Sequence, residues 1–194
     1  MLSNLLPTPL HPAVVHLPIA LTLLVPIFAV GAIIAIKRGT KVLRAWGIAA
    51  AMLAALSLSA FVSLETGEDQ EEKVERVVPE QALETHEEAA KTFLLLSLGV
   101  LGVAGLGLLG GKLGATARCA AAAGTLALVV AGYNVGHSGG RLVYTYGAAS
   151  AYTTRGASQG AAPGLATGTS GGADAARGVR AGGVTADDGD DDDR

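Results

Sequence analysis

The chain has 194 residues, half of them hydrophobic and only 16% charged, with a formal net charge of −3 and a mean hydropathy of +0.44. That is too apolar for an ordinary soluble domain, and the charge leaves no basic excess for nucleic acid. The composition points to a membrane protein.

Four apolar runs follow one another, at residues 17–36, 45–64, 92–111 and 117–135. Each is about 20 residues long, enough to cross a hydrocarbon core as a helix. The expected fold class is all-α: an integral membrane four-helix bundle at residues 1–150. Apart from Arg118 at one edge, no run contains an acidic or basic residue, which argues against a proton pump or ion-coupled transporter.

No basic stretch precedes the first run, so it reads as a retained helix rather than a cleaved signal. Lys37, Arg38, Lys41 and Arg44 fill the connection after it, and Lys112 and Arg118 lie around the connection between the third and fourth runs. The positive-inside rule makes both connections cytoplasmic. The expected location is the bacterial inner membrane, with both termini extracytoplasmic. All 17 acidic residues then fall outside.

Pro18 or Pro12 marks the start of the first helix, and Pro26 should kink it by removing a hydrogen bond to Thr22. The third run carries Gly99, Gly102, Gly105, Gly107 and Gly111, which suit close helix packing. Between the second and third runs, the acidic stretch from Glu65 to Glu80 places Val74, Val77 and Val78 at roughly helical spacing. A short acidic surface helix, broken at Pro79, fits it, with a new helix starting near Glu80. Cys119 is read as a small packing residue. The glycine-rich stretch from Gly136 to Tyr144 is read as a turn at the bilayer surface, with Tyr133, Tyr144 and Tyr146 in an aromatic belt. Residues 151–194 have no apolar period and read as a disordered Gly/Ala/Asp-rich tail.

His16 opens the first helix, His86 precedes the third and His137 closes the fourth. Chain direction brings all three to one level near the outer face. Two imidazoles from different helices are what a b-type haem needs, and imidazole also suits Fe, Cu or Zn. The expected axial pair is His16 with His86, facing each other through a pseudo-twofold of the hairpins. His137 is a substitute ligand or a propionate partner. His11 lies about 140° from His16 on a continuous helix and cannot share its face, so it ranks behind the others. Glu65, Glu87 and neighbouring carboxylates could complete a mixed metal site or orient the imidazoles. The plainer alternative is that each histidine is only an interfacial anchor. No zinc-protease helix, ferritin-like Glu-x-x-His pair, nucleophile elbow or P-loop is present.

Four ordered motifs carry a resemblance: His11-Pro-Ala-Val-Val-His16-Leu-Pro, Glu65-Thr-Gly67, Thr85-His86-Glu87, and Gly132-Tyr-Asn-Val-Gly136-His-Ser-Gly-Gly140. Over roughly residues 8–150 the chain resembles the bacterial membrane proteins grouped as domain of unknown function 2231. The resemblance implies a four-helix membrane protein in an electron-transfer setting, since some relatives are joined to cytochrome c-like or Rieske-type domains. It singles out His16, His86 and His137, with His11 behind them. The expected function is a haem b electron carrier, not a stand-alone enzyme, working between the quinone pool and an extracytoplasmic redox protein. The alternatives are a non-redox assembly subunit or a His/carboxylate metal-binding membrane protein.

Overall fold

The computed structural model describes residues 10–152. They form six helices: α1 (His11–Val14), α2 (His16–Lys37), α3 (Val42–Glu68), α4 (Glu71–Val74), α5 (Glu80–Leu106) and α6 (Gly111–Tyr144). Four stretches are long and apolar enough to cross a membrane, with α1 and α2 counted as one. The interruption between α1 and α2 has a local cause: Pro18 has no N–H to give the Val14 carbonyl. Helix α2 runs on through Pro26.

Each long helix turns a stripe of small or hydroxyl-bearing residues inward. On α2 the buried residues are Pro18, Thr22, Val25, Ala29 and Ala32; on α5 they are Phe93, Ser97, Val100 and Ala104. Steps of three and four keep such residues on one face. Large aliphatics such as Leu23, Ile27, Leu95 and Leu126 are exposed, because lipid tails are as apolar as the interior and packing selects small residues instead. The main packing contacts run α2 to α3, α3 to α5, α5 to α6 and α6 to α2. The four helices thus stand in a ring, with α2 diagonal to α5 and α3 diagonal to α6.

The basic end of the bundle is tied by side chains reaching main-chain carbonyls. Trp46 is fully buried, and its Nε1 donates to the Ala104 carbonyl at 2.8 Å. Buried Arg118 donates through Nη1 to the carbonyls of Gly107 and Leu109. A side chain at Gly107 would collide with the Trp46 ring, and one at Gly114 with the Leu109 carbonyl. Gly111 starts α6 at φ +69°, a conformation that glycine adopts without steric cost.

Several expectations are corrected. Gly99, Gly102 and Gly105 have no neighbour that a Cβ would touch, so they pack against nothing in the bundle. Of the third-run glycines within or capping α5, Gly107 alone makes a close approach, to Trp46, and further ones come from α6, where Gly124 meets Val100 and Gly132 meets Thr22 and Phe93. Gly107 caps α5 and Gly111 opens α6, so they form no helix-pairing motif. Cys119 is exposed rather than packed. The stretch from Gly136 to Tyr144 is not a turn but the last part of α6, a 34-residue helix. The acidic segment does hold a short helix, the single turn α4, and Pro79 caps the start of α5. Val78 packs there with Leu142 and Ala148. The tail beyond residue 152 lies outside the described residues.

Candidate functional site: a paired imidazole at the acidic end

His11 is the first residue of α1, and His86 lies in the second turn of α5. They come from diagonal helices and meet inside the ring, with ring centroids 6.5 Å apart and planes at 85°.

Hydrogen bonds define both tautomers. His11 Nδ1 lies 2.8 Å from the Ser63 carbonyl. A carbonyl only accepts, so Nδ1 carries the proton and Nε2 is left with a lone pair. His86 Nδ1 lies 2.9 Å from Ser138 Oγ. The Ser138 hydroxyl donates to the Val135 carbonyl at 3.0 Å, so its oxygen accepts from His86. Both imidazoles therefore present a bare Nε2, the form in which histidine binds a metal.

Glycines let the helices approach the rings. A Cβ at Gly67 would lie 3.3 Å from His11 Cε1 and Nδ1, and one at Gly139 would lie 2.9 Å from His86 Cε1. The two cradles follow one pattern. On α3 the carbonyl of Ser63 is followed by a hydroxyl at Thr66 and a glycine at Gly67. On α6 the carbonyl of Val135 is followed by Ser138 and Gly139. Thr66 Oγ1 sits 3.4 Å from His11 Nδ1 and spends its own proton on α3 carbonyls. Each hairpin thus brings one histidine, from its first helix, onto a carbonyl–hydroxyl–glycine step of its second.

Two further features mark this end. The hydroxyls of Ser57 and Ser63, both on α3, are buried without a hydrogen-bond partner among the described residues. The Gln70 amide, turned with its oxygen toward the helix start, accepts from the backbone N–H of Leu10 at 3.2 Å and His11 at 3.3 Å, and its nitrogen donates to Tyr152 at 2.8 Å. It satisfies donors that a helix start leaves free and fixes where His11 begins.

The other sequence candidates stand apart. His16 is exposed, on the face about 140° from His11. His137 is also exposed and stacks on Tyr133, with centroids 5.9 Å apart. The facing pair is His11 with His86, in place of the expected His16 with His86. Glu65 is exposed, and Glu87 pairs with Lys91 at 2.6 Å. Among the described residues no three His, Cys, Asp or Glu side chains gather as a metal cluster. On α4 the Glu71 carboxyl titrates above its ordinary range, through burial first and then the carboxylates of Glu87, Glu75 and Glu68, with Lys91 opposing. Sequence reasoning gave no role to Ser63, Thr66, Gly67, Ser138 or Gly139, although all but Ser63 lie in the motifs that carry the resemblance. The signal for most of them was the hydroxyl–glycine step, once near the end of each hairpin.

Four long apolar helices with an inward histidine pair define an integral membrane protein of the helical-bundle class. The chain belongs to a family of predicted membrane proteins, DUF2231, whose sequence pattern it matches over residues 7–151. No curated protein and no solved structure matches it.

Proposed function

We propose that this protein is a membrane-bound, b-type haem electron carrier whose haem would be held by His11 and His86. The observation that carries the reading is the pair of imidazoles on diagonal helices, each with Nδ1 engaged and Nε2 bare. The ring centres lie 6.5 Å apart, near enough that both imidazoles could serve one group. When bound, the haem supplies one-electron chemistry. The chain's own residues hold the two half-buried rings and fix which nitrogen of each is free.

Electrons would pass between membrane quinone and an extracytoplasmic redox protein, in the bacterial inner membrane with both termini outside. The two basic connections at the far end of the bundle support that orientation. A second reading is a lone Cu, Fe or Zn ion held by the same two nitrogens. The close seating of both rings on Gly67 and Gly139 favours such a compact occupant.

The test is a visible spectrum and metal analysis of protein purified from haem-replete cells. Bis-imidazole haem gives a low-spin spectrum with a sharp reduced α-band. That band should vanish in His11→Ala and His86→Ala and persist in His16→Ala and His137→Ala. A colourless protein carrying a stoichiometric metal selects the second reading. A colourless, metal-free protein removes both and leaves a non-redox assembly role.

A further inference from the structure

The two histidine cradles share a pattern but differ in the closest partner of Nδ1. Each has a main-chain carbonyl beside the ring, Ser63 for His11 and Val135 for His86. His11 rests on a main-chain carbonyl at 2.8 Å, with the Thr66 hydroxyl more distant at 3.4 Å. His86 rests on a hydroxyl, Ser138 Oγ, at 2.9 Å. No rotation of a side chain removes the Ser63 carbonyl. The Ser138 hydroxyl, by contrast, can rotate: it accepts from His86 as long as its own proton points away from the ring, as it does toward the Val135 carbonyl.

We infer that Ser138 is the positioning residue for His86: it holds the ring in the Nδ1–H tautomer and keeps Nε2 bare as the ligand nitrogen. Thr66 is its weaker counterpart, since the neighbouring carbonyl already fixes His11. The assignment rests on the two-imidazole reading for what the nitrogens bind, but the tautomers stand on hydrogen bonding alone. Groups that orient a metal-binding imidazole are commonly worth roughly 10- to 100-fold in affinity. Ser138 also borders a cleft shared with Thr85, Arg141 and Tyr146, which places this support at the edge of the bundle while the Ser63 carbonyl lies on a buried residue.

The experiment uses full-length protein with nitrogen-15-labelled histidine in lipid nanodiscs, before and after titration with hemin. Long-range nitrogen–proton spectra of the hemin-free protein should show His11 and His86 each as a single Nδ1–H tautomer. Ser138→Ala should convert His86 to an exchange-averaged mixture, leave His11 unchanged and weaken hemin binding roughly 10- to 100-fold. Ser138→Thr should restore both signatures, and Thr66→Val should leave His11 as Nδ1–H. A wild-type His86 that carries its proton on Nε2, or a Ser138→Ala protein whose His86 keeps one fixed tautomer, overturns the assignment. Absence of hemin binding beside the predicted tautomer changes would sink the haem reading and leave the role of Ser138 standing.

Discussion

Gly139 lies so close to the His86 ring that a methyl group on its Cα would sit 2.9 Å from Cε1; the matching distance from Gly67 to His11 is 3.3 Å. The first is closer than carbon atoms approach without movement. The second is tight, and a small displacement of the ring relieves it. Gly139→Ala should therefore displace His86 and destabilise the bundle by about 1–3 kcal/mol, the usual range for overpacking. Gly67→Ala should do less on both counts. Thermal unfolding in detergent, with the histidine spectra read alongside, ranks the two.

Trp46→Phe keeps one aromatic ring but removes the Nε1–H donor and leaves a cavity at a fully buried site, which adds to the loss. The Ala104 carbonyl loses its Nε1–H partner, and the N–H of Leu108, four residues on, is already bonded to Gly105. An unsatisfied buried carbonyl costs about 1–3 kcal/mol. The histidine pair lies at the opposite end of the bundle, so its tautomers should not change. A drop in melting temperature without a change in the histidine spectra is the expected result.

Glu71 supplies a pH-dependent prediction. Its carboxyl is held above the ordinary range, by burial and then by nearby carboxylates. The folded chain therefore binds that proton more tightly than the unfolded chain does. The stabilisation is complete at acid pH, below the ordinary value of 4.5, and is lost as pH rises through the raised value. Glu71→Gln should then raise the melting temperature modestly at pH 7 and make little difference near pH 4. An equal shift at both pH values would show that charge is not the cause.

Topology is checked directly by fusion. Alkaline phosphatase joined after Gly147 should be active, because the basic connections from Lys37 to Arg44 and around Lys112 assign the opposite end to the cytoplasm. A fluorescent cytoplasmic reporter that matures at the same position would place the histidine pair on the inner face.

The spans were legible because length and apolarity alone identify a membrane helix. The inward face was harder to read, since the lipid-facing side is as apolar as the core. His11 and His16 illustrate this. Both follow the same motif, and their 140° separation showed that only one could face inward, but not which. The buried stripe of Pro18, Thr22, Val25 and Ala29 decides it: seven residues back from Pro18 is His11, and His16 falls off the stripe. Tracing small and hydroxyl residues instead of large apolar ones would have found that face. The same rule places Ser138 and Gly139 inward and His137 outward. The glycine-rich end of α6 was misread because composition suggested a turn. There the glycines make room for His86 within a continuous helix.

The depth of the pair has an electrical consequence. Both histidines sit near the acidic ends of their helices, His11 at the very first residue of its span. Moving a charge through the full membrane potential changes its energy by about 2.3 kcal/mol for every 100 mV. An electron that reaches a centre at this level from the adjacent leaflet, and leaves on the same side, crosses little of that drop. If the pair holds a haem as proposed, such a carrier would work at nearly the same driving force in energised and de-energised cells, exchanging electrons without itself charging the membrane.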